Sequence, residues 1–234
     1  MRGTQAPFYG EVHGMNIFDI IGPVMVGPSS SHTAGAARIG MVARKLLGEE
    51  PVKAEILLHG SFLATGSGHG TDRALVAGLL GFEVDDSRIP QSFAIARERG
   101  LDFAFGAADL GEEAHPNSAE LHLTGESGKE LTVVGASVGG GRIRIVSLDG
   151  QEANFSGESP ALIVHHTDRP GRVAEVSTML EMSHVNVAAM QLYRTSRGGH
   201  AVMVLECDEE IPQEVVRRLG EQDGMEKVIY YSPA

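Results

Sequence analysis

The order in which the hydrophobic period changes between Ala161 and Tyr231 constrains this chain more than any other feature. A continuous apolar run, Ala161–Val164, leads into the turn Asp168-Arg169-Pro170-Gly171, and Val173, Val176 and Leu180 then recur at helical spacing. Strand-like segments follow at Val185–Tyr193 and His200–Glu206, joined by Ser196-Arg197-Gly198-Gly199. Ile211, Val215 and Leu219 repeat every fourth residue, and a last strand runs through Val228–Tyr231. The order β-α-β-β-α-β is the ferredoxin-like arrangement.

Ahead of this unit, the polar stretch Gln151–Ser159 interrupts two periodic regions, so a linker is expected over 151–158 with the second domain filling 159–234. The first domain, 15–150, reads as mixed α/β. Val52, Ala54, Ile56 and Leu58 alternate as in a strand, and a helix is expected from about Thr71 through Leu75, Leu79 and Leu80. Leu131–Gly135 and Arg142–Leu148 read as strands around Gly139-Gly140-Gly141. The fold class expected for the whole chain is α+β. Residues 1–14 carry no usable pattern and read as a tag or extension ahead of Met15.

Composition narrows the function. With 31 acidic against 19 basic residues, a net charge of −12, no tryptophan and 5% aromatics, the chain is not expected to bind nucleic acid or anionic membranes. No apolar run is long enough for a membrane helix and the amino terminus lacks a signal-peptide pattern, so a cytoplasmic location is expected. The single cysteine, Cys207, excludes an internal disulfide framework and any multi-thiolate metal or iron–sulfur site supplied by this chain alone.

The passage with most chemistry is Gly27-Pro28-Ser29-Ser30-Ser31-His32-Thr33-Ala34-Gly35. Ile39, Val42, Ala43, Leu46 and Leu47 recur at helical spacing behind it, which puts Ser31 or Thr33 where an N-cap belongs. Free N–H groups of a first turn attract carboxylate or phosphate, small residues leave the backbone approachable, and His32 titrates near neutrality. An N-cap flanked by solvated serines is the plainer reading of the same string.

Three further passages gather glycine, hydroxyl and imidazole groups. His59-Gly60-Ser61 through Gly68-His69-Gly70-Thr71-Asp72 reads as a glycine-rich loop free to wrap a ligand, with Thr71 or Asp72 capping the next helix. It is neither a phosphate-binding P-loop nor a dinucleotide fingerprint, and its histidines lack zinc-site spacing, so no metal ligand is assigned to this chain. In Ala114-His115-Pro116-Asn117-Ser118 the proline fixes the chain between an imidazole and a carboxamide. Ser137-Val138-Gly139-Gly140-Gly141 offers either close backbone approach or a bulge between strands.

With Phe18-Asp19-Ile20-Ile21-Gly22-Pro23, these passages, in this order, resemble the β subunit or β domain of the iron–sulfur-dependent L-serine dehydratases (L-serine ammonia-lyases). The tail resembles an ACT domain, and the first domain is similar to the allosteric substrate-binding domain of some phosphoglycerate dehydrogenases. The resemblance implies deamination of L-serine to pyruvate and ammonia, with a [4Fe-4S] cluster held by a separate α subunit and this chain inactive by itself. It implies that His32 orients substrate or takes part in removing the Cα proton, although the sequence does not decide which histidine is the base. Ser29, Ser30, Ser31 and Thr33 would hold the substrate carboxylate, with His59, Ser61, His69, Thr71 and Asn117 as secondary polar contacts. For the tail it implies a regulatory ligand at Pro170 and Gly171 with Asn186 in reach, and self-association; Gly171 serving only as a tight turn in a dimerising module is the alternative. Pyridoxal-phosphate catalysis is disfavoured because none of Lys45, Lys53, Lys129 and Lys227 adjoins a motif. A non-catalytic amino-acid sensor remains the competing class of function.

Overall fold

The computed structural model describes residues 24–233. The Phe18–Pro23 motif and the extension read over residues 1–14 lie outside them. The described residues build two sheets, the first of six strands in the order β2-β1-β3-β4-β5-β6. These are β1 Pro51–Leu58, β2 Asp102–Ala107, β3 Ser118–Gly125, β4 Glu130–Gly139, β5 Arg142–Leu148 and β6 Gln151–Phe155. Among the described strands of this sheet only β1 and β2 are parallel, and the crossover between them carries three α-helices, α2 Gly60–His69, α3 Thr71–Leu79 and α4 Ser92–Glu98.

A π-helical turn, Ser30–Gly35, runs directly into α1, Ala36–Leu47. Apolar residues of α1 and α3 meet the inward side chains of the strands, among them Ile39, Leu46, Leu75, Leu79, Ile56, Leu121, Val133 and Ile145. In β1 the expected alternation holds for Ala54, Ile56 and Leu58. Val52 is instead exposed, because the pairing with β3 shifts register between Pro51 and Lys53.

The second sheet has the order β10-β7-β9-β8, all antiparallel, from β7 Ala161–Thr167, β8 Val187–Arg194, β9 His200–Cys207 and β10 Met225–Tyr231. Helices α5, Arg172–Glu181, and α6, Gln213–Gly220, complete the ferredoxin-like unit. Both faces of β7 are covered, which explains its unbroken apolar sequence. Leu162 and Val164 meet Val176, Leu180 and Leu219 of the helices, whereas Ala161 and Ile163 join the core of the first domain together with Val202, Val204, Ile229 and Tyr231.

The structure corrects several expectations. Of the stretch expected as a linker over 151–158, residues 151–155 form strand β6, whose Ala153 and Phe155 are buried while its remaining side chains are not, so alternation hides its apolar content. On α5, Val176 and Leu180 face the core, but Val173, in the first turn, is exposed. Ile211 is buried just ahead of α6, which begins only after Pro212.

Candidate active site

The N-cap of the π-helical turn is Ser29, ahead of both residues expected from the sequence. Ser29 has extended backbone angles, its Oγ accepts the His32 N–H at 3.2 Å, and its carbonyl accepts the Thr33 N–H at 2.8 Å. Ser31 thereby lies inside the turn, and Thr33, almost fully buried, donates its hydroxyl to the His69 carbonyl at 3.2 Å. Ser30 is half-buried in the same turn.

The glycine-rich segment expected as a loop is helix α2. Its Ser61 and Phe62 N–H groups, which have no partner within a first helical turn, donate to the Pro116 carbonyl at 2.7 and 3.3 Å. Gly60 permits this approach: a β-carbon there would lie 2.6 Å from the Pro116 oxygen, and its φ is +55°. The helix ends at Gly70 in the left-handed conformation. Gly70 is also the N-cap of α3, so neither Thr71 nor Asp72 supplies a side-chain cap. Thr71 is fully buried and its hydroxyl has no hydrogen-bond partner among the described residues.

His32 is where these two elements meet. Its Nε2 lies 3.1 Å from Ser61 Oγ and 3.1 Å from Thr65 Oγ1, and its Nδ1 lies 3.4 Å from Ser31 Oγ and 3.5 Å from Ser29 Oγ. The ring stands edge-on to buried Phe62, with centroids 5.4 Å apart, and 5.0 Å from the exposed His69 ring. Burial, then the neighbouring His69, lowers the His32 pKa below the ordinary imidazole value, opposed by a hydrogen bond to the Ser61 backbone. The cluster therefore offers a neutral imidazole with hydroxyls at both ring nitrogens, suited to proton transfer on a small polar molecule.

Thr65 went unrecognised in the sequence. Ser61 and Thr65 are four residues apart and share a helix face, a signal that exists only once the segment is read as helical.

Other expected site residues lie apart from His32. The His59 ring is held by backbone, its Nδ1 accepting the Leu110 N–H at 3.3 Å and lying 3.3 Å from the Ala108 carbonyl. Asn117 follows the Pro116 carbonyl that anchors α2; its own N–H donates to His115 Nδ1 and its carbonyl accepts from Ser137. In the second domain Gly171, with φ +96°, is the N-cap of α5 beside Pro170. Asn186 is at the opposite end of the sheet, next to β8 residue Val187, which pairs with Cys207, while Thr167 pairs with His200 near Gly171. Its carboxamide donates to Asp208 and its N–H to Glu209, both at 2.7 Å.

Comparison with known proteins agrees with this layout. The family described as Serine dehydratase beta chain matches residues 16–147, and the family described as ACT domain matches 161–224. The chain is 45% identical over 205 residues to the probable L-serine dehydratase, beta chain, of Bacillus subtilis, covering 88% of this chain and 92% of the relative. It is 39% identical over 196 residues to the L-serine dehydratase, beta chain, of Peptoniphilus asaccharolyticus, covering 84% and 88%. Similarity to the D-3-phosphoglycerate dehydrogenase of Methanocaldococcus jannaschii is 28% over 195 residues, which is 82% of this chain but 36% of that enzyme.

Proposed function

The chain belongs to the serine dehydratase beta-chain family, and from that premise we propose that it supplies one half of an active site that deaminates L-serine to pyruvate and ammonia. The observation that carries this reading is His32, kept neutral and bracketed by the hydroxyls of Ser29, Ser31, Ser61 and Thr65. The reaction removes a proton from Cα and a hydroxide from Cβ, and it needs a clamp for the carboxylate. His32 is the group in this chain that accepts the Cα proton, and Ser29, Ser30, Ser31 and Thr33 form the polar turn that receives the carboxylate. Ser61 and His69 border the same space; His59, Asn117 and Thr71 stand apart from His32 and act only through the elements they belong to, His59 at the N-cap of α2, Asn117 after the Pro116 carbonyl that anchors it and Thr71 at the start of α3.

A [4Fe-4S] cluster does not fit the residues of this chain. Cys207, the single cysteine, is enclosed in the core of the second domain, and burial, then Asp208 and Glu209, pushes its thiol up to about 11. Among the described residues no three histidine, cysteine or acidic side chains converge as metal ligands. We assign the cluster, and with it the Lewis acid for the departing hydroxyl, to a cysteine-bearing alpha subunit, so the chain is active only in the pair.

The second domain is read as the regulatory module. Pro170 and Gly171 stand at one end of its sheet and Asn186 at the other, so one chain does not bring them together. β8 is an edge strand with exposed Met190 and Leu192. Antiparallel pairing of β8 with that of a second copy would set the copy's Asn186 end beside the Arg194 end of the first, next to the Pro170–Gly171 turn. Self-association and a small ligand at that junction follow from this reading.

The test is anaerobic co-expression with a cysteine-bearing alpha chain, assaying pyruvate from L-serine for each chain and for the pair. Activity confined to the pair supports the reading. Full activity of alpha alone would demote this chain to a sensor.

A further inference from the structure

We infer that Thr65 is a positioning residue which holds His32 in the Nε2–H tautomer, leaving Nδ1 as its basic nitrogen. A neutral imidazole carries one N–H and one lone pair, and the partner of the first fixes the second. Thr65 Oγ1 donates its one hydrogen to the Ser61 carbonyl, four residues back along α2, at 2.8 Å. Toward His32 Nε2, 3.1 Å away, it can then only accept. A bare Nε2 would oppose two lone pairs at that distance, whereas an Nε2–H is bonded. Ser61 Oγ, at 3.1 Å from the same nitrogen, tolerates either tautomer because its hydroxyl hydrogen is free to rotate. Thr65, which can only accept, favours the Nε2–H form, and the hydrogen bond between His32 and the Ser61 backbone likewise calls for a ring N–H.

The other side of the ring agrees. Ser29 Oγ accepts the His32 backbone N–H, so its own hydrogen is available to donate toward Nδ1, and Ser31 Oγ stands 3.4 Å from that nitrogen. An unprotonated Nδ1 meets two potential donors there. The consequence is directional: the nitrogen that takes a proton faces the Ser29–Ser31 turn, and the nitrogen facing α2 is held by it.

That Nδ1 takes the Cα proton of serine rests on the function proposed above, but the tautomer does not, and the experiment separates the two. In the full-length chain with nitrogen-15-labelled histidine, long-range proton–nitrogen correlation above the His32 pKa is expected to show Nε2 protonated and Nδ1 bare. Thr65 is exposed, so Thr65→Val is expected to fold, and it should lose this preference, while Thr65→Ser keeps it. With the alpha chain added, Thr65→Val should lower kcat at least about tenfold with little change in KM, since a wrong tautomer in a hydrolytic triad costs ~10⁴. Thr65→Ser should restore most of the rate. A protonated Nδ1 in the native chain, or an unaltered tautomer in Thr65→Val, would overturn the inference. The expected tautomers with undiminished turnover in both Thr65→Val and His32→Ala would uphold it and remove His32 from the reaction instead.

Discussion

Gly40 on α1 and Gly78 on α3 face one another where the two helices cross, each resting on the other's backbone. A β-carbon at Gly40 would lie 2.3 Å from the Leu75 carbonyl oxygen, and one at Gly78 would lie 2.0 Å from that of Ala37. The contact is mutual, so neither helix can yield without the other. Because α1 continues the π-helical turn, the crossing also sets where His32 stands relative to α2.

Gly78→Ala should therefore destabilise the chain by about 1–3 kcal/mol through overpacking, despite the better helix propensity of alanine. Chemical denaturation of the isolated chain measures this. A midpoint equal to or above that of the native chain would show that the helices separate freely.

The second prediction concerns pH. Burial first, and His69 second, lower the His32 pKa, so its neutral form persists below the usual imidazole range. The acid limb of kcat/KM in the assembled enzyme should lie below about 6.5, the unperturbed histidine value. Replacing His69 with Asn removes the second cause and should move that limb upward. A native limb at or above the ordinary histidine value, or one indifferent to His69→Asn, would contradict the assignment.

Much of this was legible in the sequence, and the exceptions have physical causes. The second domain declared itself because β7 is buried on both faces and reads as an uninterrupted apolar run, while the faces of α5 and α6 repeat at helical spacing. The Ser29–Thr33 string announced a polar turn, but not that Ser29 caps it or that a π-helical turn follows. Helix α2 was hidden by its glycines: local propensity argues for a loop, and what makes it a helix is the Pro116 carbonyl, more than fifty residues downstream. Thr65 was lost with it. Strand β6 looked like a linker because a polar edge strand and a polar connection have the same composition.

The shared core makes a third prediction. Ile163 is fully buried and belongs to the core of the first domain although it lies in the second. Ile163→Ala should cost about 2–5 kcal/mol. Just after α5, Met182 is 68% exposed, and Met182→Ala in the isolated chain should stay within about 0.5 kcal/mol. Equal effects of the two would mean that the domains are not packed on one another.

Acid stability gives a fourth. His165 is buried on the face of β7 turned toward the first domain, and its Nε2 has no hydrogen-bond partner among the described residues. Burial, the largest cause, lowers its pKa, with Asp149 opposing and Lys227 reinforcing. The unfolded chain then binds a proton at a higher pH than the folded one, so this stability is complete above about 6.5 and is lost as pH falls. The melting temperature should drop on acidification below that point, and His165→Leu should shallow the slope. An unchanged slope would remove His165 as the titrating group.

Gly35 and Ser137 support the fifth. Gly35 ends the π-helical turn, and a β-carbon there would lie 2.0 Å from Ser137 Oγ and 2.6 Å from Ser137 Cβ. Ser137 is fully buried on β4 and its hydroxyl has no hydrogen-bond partner among the described residues, so what it brings to this contact is volume. Gly35→Ala should thus destabilise the chain by about 1–3 kcal/mol and, by displacing the turn, lower the turnover of the assembled enzyme. Since the conflict involves the β-carbon as well as the hydroxyl, Ser137→Ala should relieve little of it, whereas Ser137→Gly in the same chain should recover much of both losses. A double-mutant cycle reads this directly: strong coupling between positions 35 and 137 is expected, and additive effects would mean that the turn is held by something other than this contact.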